Sequence, residues 1–88
     1  MPDFTHTMNL NRERVRFLFS KIQTPDRIKF LVTVLFKNLI TSFDIQQDKK
    51  GDWKIVLPVP DWLIFLEQEL VSAIRNSLAI NQEKQANG

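Results

Sequence analysis

Residues 24–43 read TPDRIKFLVTVLFKNLITSF, and the fold assigned to the chain turns on them. Thr24 suits a helix N-cap, Pro25 the first helical position, and Asp26 the positive end of a helix dipole. Downstream, Ile28, Leu31, Val32, Leu35, Phe36, Leu39 and Phe43 fall on one wide face of a helical wheel. The spacing predicts a helix from Pro25 to about Ser42, central to the domain. The apolar stretch Ile28–Phe43 is broken by Lys29, Lys37 and Asn38. It is also shorter than the roughly 20 residues that cross a bilayer, so no membrane span is expected.

Working outward toward the N-terminus, Asn9 and Asn11 are candidate N-caps for an earlier helix reaching about Ile22, with Val15, Leu18, Phe19 and Ile22 on its core face. Residues 1–8 show no periodicity and no basic–apolar leader pattern, and are expected to be a flexible tail.

Toward the C-terminus, Phe43 and Ile45 alternate with Asp44 and Gln46. The polar run Asp48–Asp52 then offers a turn, with Gly51 suited to a left-handed conformation. Trp53, Ile55 and Leu57 alternate with Lys54 and Val56 and share one face, which predicts a β-hairpin. Pro58 and Pro60 end it. A last helix is expected from Pro60 or Asp61 to about Ala79, burying Leu63, Leu66, Leu70, Ala73, Ile74 and Leu78. Residues 81–88 are polar and read as a second flexible tail.

The expectation is therefore one small α+β domain over residues 9–80, in the order α-α-β-β-α: three helices packed with a two-stranded antiparallel hairpin. The core set includes Leu18, Ile22, Leu31, Leu35, Leu39, Ile55, Leu66, Leu70 and Ile74. With 88 residues, 43% hydrophobic and 25% charged, the chain has room for one modest core.

Composition narrows the chemistry. There is no cysteine, which removes disulfide scaffolds and thiolate metal sites and is compatible with a cytoplasmic setting. Of two glycines, one is Gly51 and the other the terminal Gly88, so no phosphate-cradling loop is present. The single histidine, His6, falls in the expected tail, where a general base could not be held. Glu67 and Glu69, two apart, point different ways on a helix. Asp44, Asp48 and Asp52 lack calcium-loop spacing and read as turn chemistry. No enzyme activity, cofactor, metal or small-molecule substrate is implied.

Binding remains. Phe17, Phe30 and Phe65 fall on the polar sides of their expected helices, with Val34 beside Phe30 and Trp62 near Phe65. Together they form a candidate protein interface, since exposed apolar patches mark interaction sites. The expected function is a protein-interaction module with a basic rim, whose partner is another protein or a second copy of the chain. The alternative is a nucleic-acid binder of winged-helix type. Its reading helix would be the second, its wing Asp48–Asp52, and its phosphate contacts Arg12, Arg14, Arg16, Arg27, Lys49, Lys50 and Lys54. The net charge of +2 divides into about +4 before Asp44 and about −2 after it.

Overall fold

Strand alternation, not helical periodicity, governs the first two-thirds of the chain. In the computed structural model, which describes the backbone of residues 2–87 and the side chains of residues 2–80, Ile28–Phe36 is a β-strand. It buries Phe30, Val32 and Val34 and turns Lys29, Leu31, Thr33 and Leu35 the other way. The strands are β1 (Phe4–Leu10), β2 (Glu13–Gln23), β3 (Ile28–Phe36), β4 (Leu39–Gln47) and β5 (Trp53–Ile55). They form an antiparallel meander in the order β1-β2-β3-β4-β5. Two helices follow: α1 (Asp61–Ile64) and α2 (Glu67–Asn87).

This corrects the three-helix expectation. The two helices placed over residues 9–42 are instead β1–β2 and β3–β4, and only the hairpin and the C-terminal helix survive in kind. Local chemistry explains why. Thr24-Pro25-Asp26-Arg27 is a turn rather than a helix start: Thr24 N–H donates to the Arg27 carbonyl (2.9 Å), and Arg27 N–H donates to Thr24 Oγ1 (3.2 Å). Pro25 supplies the turn's fixed φ. Two further hairpins close through two-residue loops with both residues at positive φ, Asn11 (51°) with Arg12 (65°) and Lys37 (53°) with Asn38 (62°). Such loops match the twist of the flanking strands. β-Branched Val32, Thr33, Val34, Ile40 and Thr41 suit the pleated surface better than a helix.

The Asp48–Asp52 turn forms as its sequence suggests. Asp48 Oδ1 accepts from the N–H groups of Lys50 (2.9 Å) and Asp52 (3.0 Å), and Gly51 takes φ 91°. Residues 4–10, most of which lay in the expected tail 1–8, pair with β2 from Phe4↔Phe19 to Leu10↔Glu13. The C-terminal helix is broken after Ile64 and continues to Asn87. The side chains of the expected tail 81–88 lie outside the described residues.

The inner face of the sheet carries the core. Phe4 stacks on Phe19 (centroids 4.4 Å apart), Phe30 meets Phe4 edge-on (5.8 Å), and Trp53 tilts against Phe30 (5.6 Å). Leu63, Leu70, Val71 and Ile74 of the helices complete it, and no polar side chain is buried there among the described residues. The first turn of α2 touches both edges of the sheet. Ile55 N–H on β5 donates to Glu67 Oε2 (2.9 Å), and His6 Nε2 on β1 lies 3.2 Å from Glu69 Oε2. The sheet is curled, and the helix spans its opening.

Candidate binding surface

With α1 and α2 both on the inner side, no element covers the outer face of the sheet among the described residues. Alternation decides what it shows: Thr5, Thr7 and Asn9 from β1; Arg14, Arg16, Leu18, Ser20 and Ile22 from β2; Lys29, Leu31, Thr33 and Leu35 from β3; Ile40, Ser42, Asp44 and Gln46 from β4; and Lys54 from β5. Its apolar patch lies next to the β3–β4 turn. Leu35 and Ile40 are direct cross-strand partners and are 60% and 69% exposed. With Arg16, Leu18 and Thr33 they line a shallow cleft of about 330 Å³. Beside it Thr33 Oγ1 and Ser42 Oγ lie 3.2 Å apart, satisfying each other. Lys29 is paired with Asp44 (3.4 Å). The two arginines of β2 have no carboxylate partner among the described residues.

The residues singled out in the sequence separate into several places. Phe17, Phe30 and Val34 are not interface residues: each is at most 1% exposed, on the inner face. The premise that put them outside was the helical period, and in a strand their positions point inward. Trp62 is half-buried, tilted on Phe36 (4.9 Å). Phe65, just after α1, is 86% exposed and is the one aromatic of the set that stands free.

The basic residues do not form one surface. Arg12, in the β1–β2 turn, with Arg14 and Arg16 on the outer face, lies at the end of the sheet that also holds the β3–β4 turn. Arg27, Lys49, Lys50 and Lys54 lie at the other end. There Arg27, Lys49 and Lys54 share a cleft of about 550 Å³ with Asp26 and Asp48, so much of their charge is offset. The winged-helix arrangement is absent: its reading helix is the β3–β4 hairpin, and the Asp48–Asp52 turn joins two strands of the main sheet.

A further cleft, about 620 Å³, lies between the start of β1 and α2. Phe4 and Phe30 contribute apolar walls, and His6, Lys21 and Glu69 polar ones. Among the described residues, no three metal-ligating side chains converge, and no helix is long and apolar enough to cross a membrane. Sequence reasoning missed Leu35, Leu39 and Ile40 as surface residues. Their signal was the pair of non-glycine positions Lys37-Asn38, whose reading as a hairpin turn would have set Leu35 and Ile40 opposite each other on one face. Comparison with protein families, curated proteins and solved structures finds no match for the chain.

Proposed function

We propose that the chain is a non-catalytic protein-interaction module that works through the uncovered outer face of its sheet. The observation that carries this reading is the exposed pair Leu35–Ile40, joined by Leu18 in one cleft and flanked by Arg14 and Arg16. Large aliphatic side chains grouped on a face without a covering element are what a partner's apolar surface displaces water from. Arginine at the margin is a common rim residue of such interfaces. This keeps the apolar surface with a basic rim expected from the sequence and moves it from helices to a sheet face. Association of two copies through this face is the simplest form, because one patch then covers its own equivalent.

Light scattering over a concentration series, at low and high salt, tests it. The expected result is a dimer that survives high salt, since apolar burial is not screened, and that is lost in Leu35→Asp and Ile40→Asp variants with unchanged circular dichroism. A wild-type chain that stays monomeric and takes up no apolar dye on this face removes the reading.

A further inference from the structure

We infer that β1 is a docking edge for an extended acidic segment of a partner protein, which adds to the sheet as a sixth strand. The inference deepens the protein-interaction reading above and rests on it. It begins with the two-residue turn at Asn11-Arg12. A loop of that kind makes Leu10↔Glu13 a hydrogen-bonded pair. Alternation then turns the backbone groups of Met8, His6 and Phe4 toward β2 and those of Asn9, Thr7 and Thr5 away from it. The sheet order ends at β1, so among the described residues these outward N–H and C=O groups meet no further strand. Edges of this kind are usually guarded by proline, lysine or a bulge. Phe4–Leu10 contains no proline or lysine and pairs with β2 one-for-one throughout.

Charge selects the occupant. Arg16 is the cross-strand partner of Thr7, and Arg14 that of Asn9. The three residues Thr7, Arg14 and Arg16 line a small cleft of about 340 Å³. Thr7 and Asn9 are short, so a guanidinium on β2 can reach across them to the strip beside β1. Arg14 and Arg16 repeat every second residue along a strand, about 6.8 Å. Carboxylates at alternate positions of an added strand repeat at the same interval and on the same face. Each arginine can then hold one carboxylate with paired N–H bonds. Two arginines with no carboxylate partner among the described residues, and the Thr7–Asn9 part of the edge, beyond the stretch that α2 approaches at Thr5 and His6, are thus in register with one kind of ligand.

A second copy fits poorly at this edge. Pairing β1 with itself would gather four arginines on one face, and the outer positions of β1 and β2 hold no carboxylate. Single-stranded nucleic acid fits less well too, because the outer face carries no aromatic residue on which a base can stack.

The probe is a fluorescent octapeptide alternating Glu and Thr, followed by anisotropy at low salt against the full chain. Saturable binding is expected. It should weaken by about tenfold or more when Gln replaces Glu in the peptide, and equally when Arg14→Gln and Arg16→Gln are combined in the protein. N-methylation of alternate peptide nitrogens tests the strand itself: one phase should abolish binding and the other leave it. Absence of binding, equal binding of the Gln peptide, or indifference to both methylation phases overturns the inference. So does tighter, Arg14- and Arg16-dependent binding of an oligothymidylate. Leu35→Ser, which adds no carboxylate beside Arg16 in their shared cleft, should leave peptide binding intact. Failure of the peptide in a chain that still associates through Leu35 and Ile40 discards the β1 edge alone, not the interaction reading.

Discussion

The two faces of the sheet are built from the same strands and much the same residue types, yet they have opposite fates. On β3, Phe30, Val32 and Val34 are sealed beneath the helices, while Leu35, one residue from Val34, is 60% exposed. On β2, Val15, Phe17 and Phe19 are buried, and Arg14 and Arg16, on either side of Val15, are exposed. A one-residue step along a strand changes the face, so apolarity alone does not say which side chain belongs to the core. The inner face is fixed by what covers it. The outer face keeps Leu35 and Ile40 exposed, with no element over them among the described residues.

Mutations can test that contrast. The largest effect belongs to Phe30, which touches Phe4, Phe19 and Trp53 at once. Phe30→Ala should cost about 3–5 kcal/mol, enough to leave a domain of this size largely unfolded in a urea titration. A stable Phe30→Ala would show that the inner face is not the core. Next comes the seal. Glu67→Ala removes the acceptor for Ile55 N–H at the β5 edge, and a loss of about 1–2 kcal/mol is expected. Hydrogen exchange at Ile55 should accelerate with it; an unchanged rate would mean that β5 is held by its pairing with β4 alone. The smallest effect sharpens the comparison most. Leu35→Ala, a core truncation under the helical reading, should change monomer stability by no more than about 0.5 kcal/mol. A loss near that of Phe30→Ala would return Leu35 to the interior.

How much of this was legible follows from the same alternation. The β4–β5 turn and the shared face of Trp53 and Ile55 were readable because Gly51 and a run of polar residues mark the turn. The C-terminal helix was readable because Leu63, Leu70 and Ile74 recur at helical spacing with Pro60 before them. The first three strands were not read, for two physical reasons. Leu18, Ile22, Leu31 and Leu35 put apolar residues on the outer face as well, which blurs period 2 and lets a helical stripe emerge by coincidence. The hairpin turns Asn11-Arg12 and Lys37-Asn38 reach positive φ without glycine, so the usual mark was missing. The off-stripe positions of Phe17 and Phe30 were the sign of a wrong period rather than of an interface. For the site, Arg14 and Arg16 stood out from the sequence and are exposed on the outer face. The helical reading puts Leu35 in the core, and that hides the apolar patch it forms with Ile40.

The bridge made by Glu67 and Glu69 also sets an order of events in biosynthesis. Every strand pairs only with its neighbours in sequence, so the meander can assemble hairpin by hairpin as the chain emerges, with little loop entropy to overcome. Its aromatic face gains no cover until residues after Asp61 are available, and His6 meets its partner only across 63 positions of sequence. A sheet formed ahead of the two helices would show a bare phenylalanine surface, the kind of exposed apolar face that associates off-pathway.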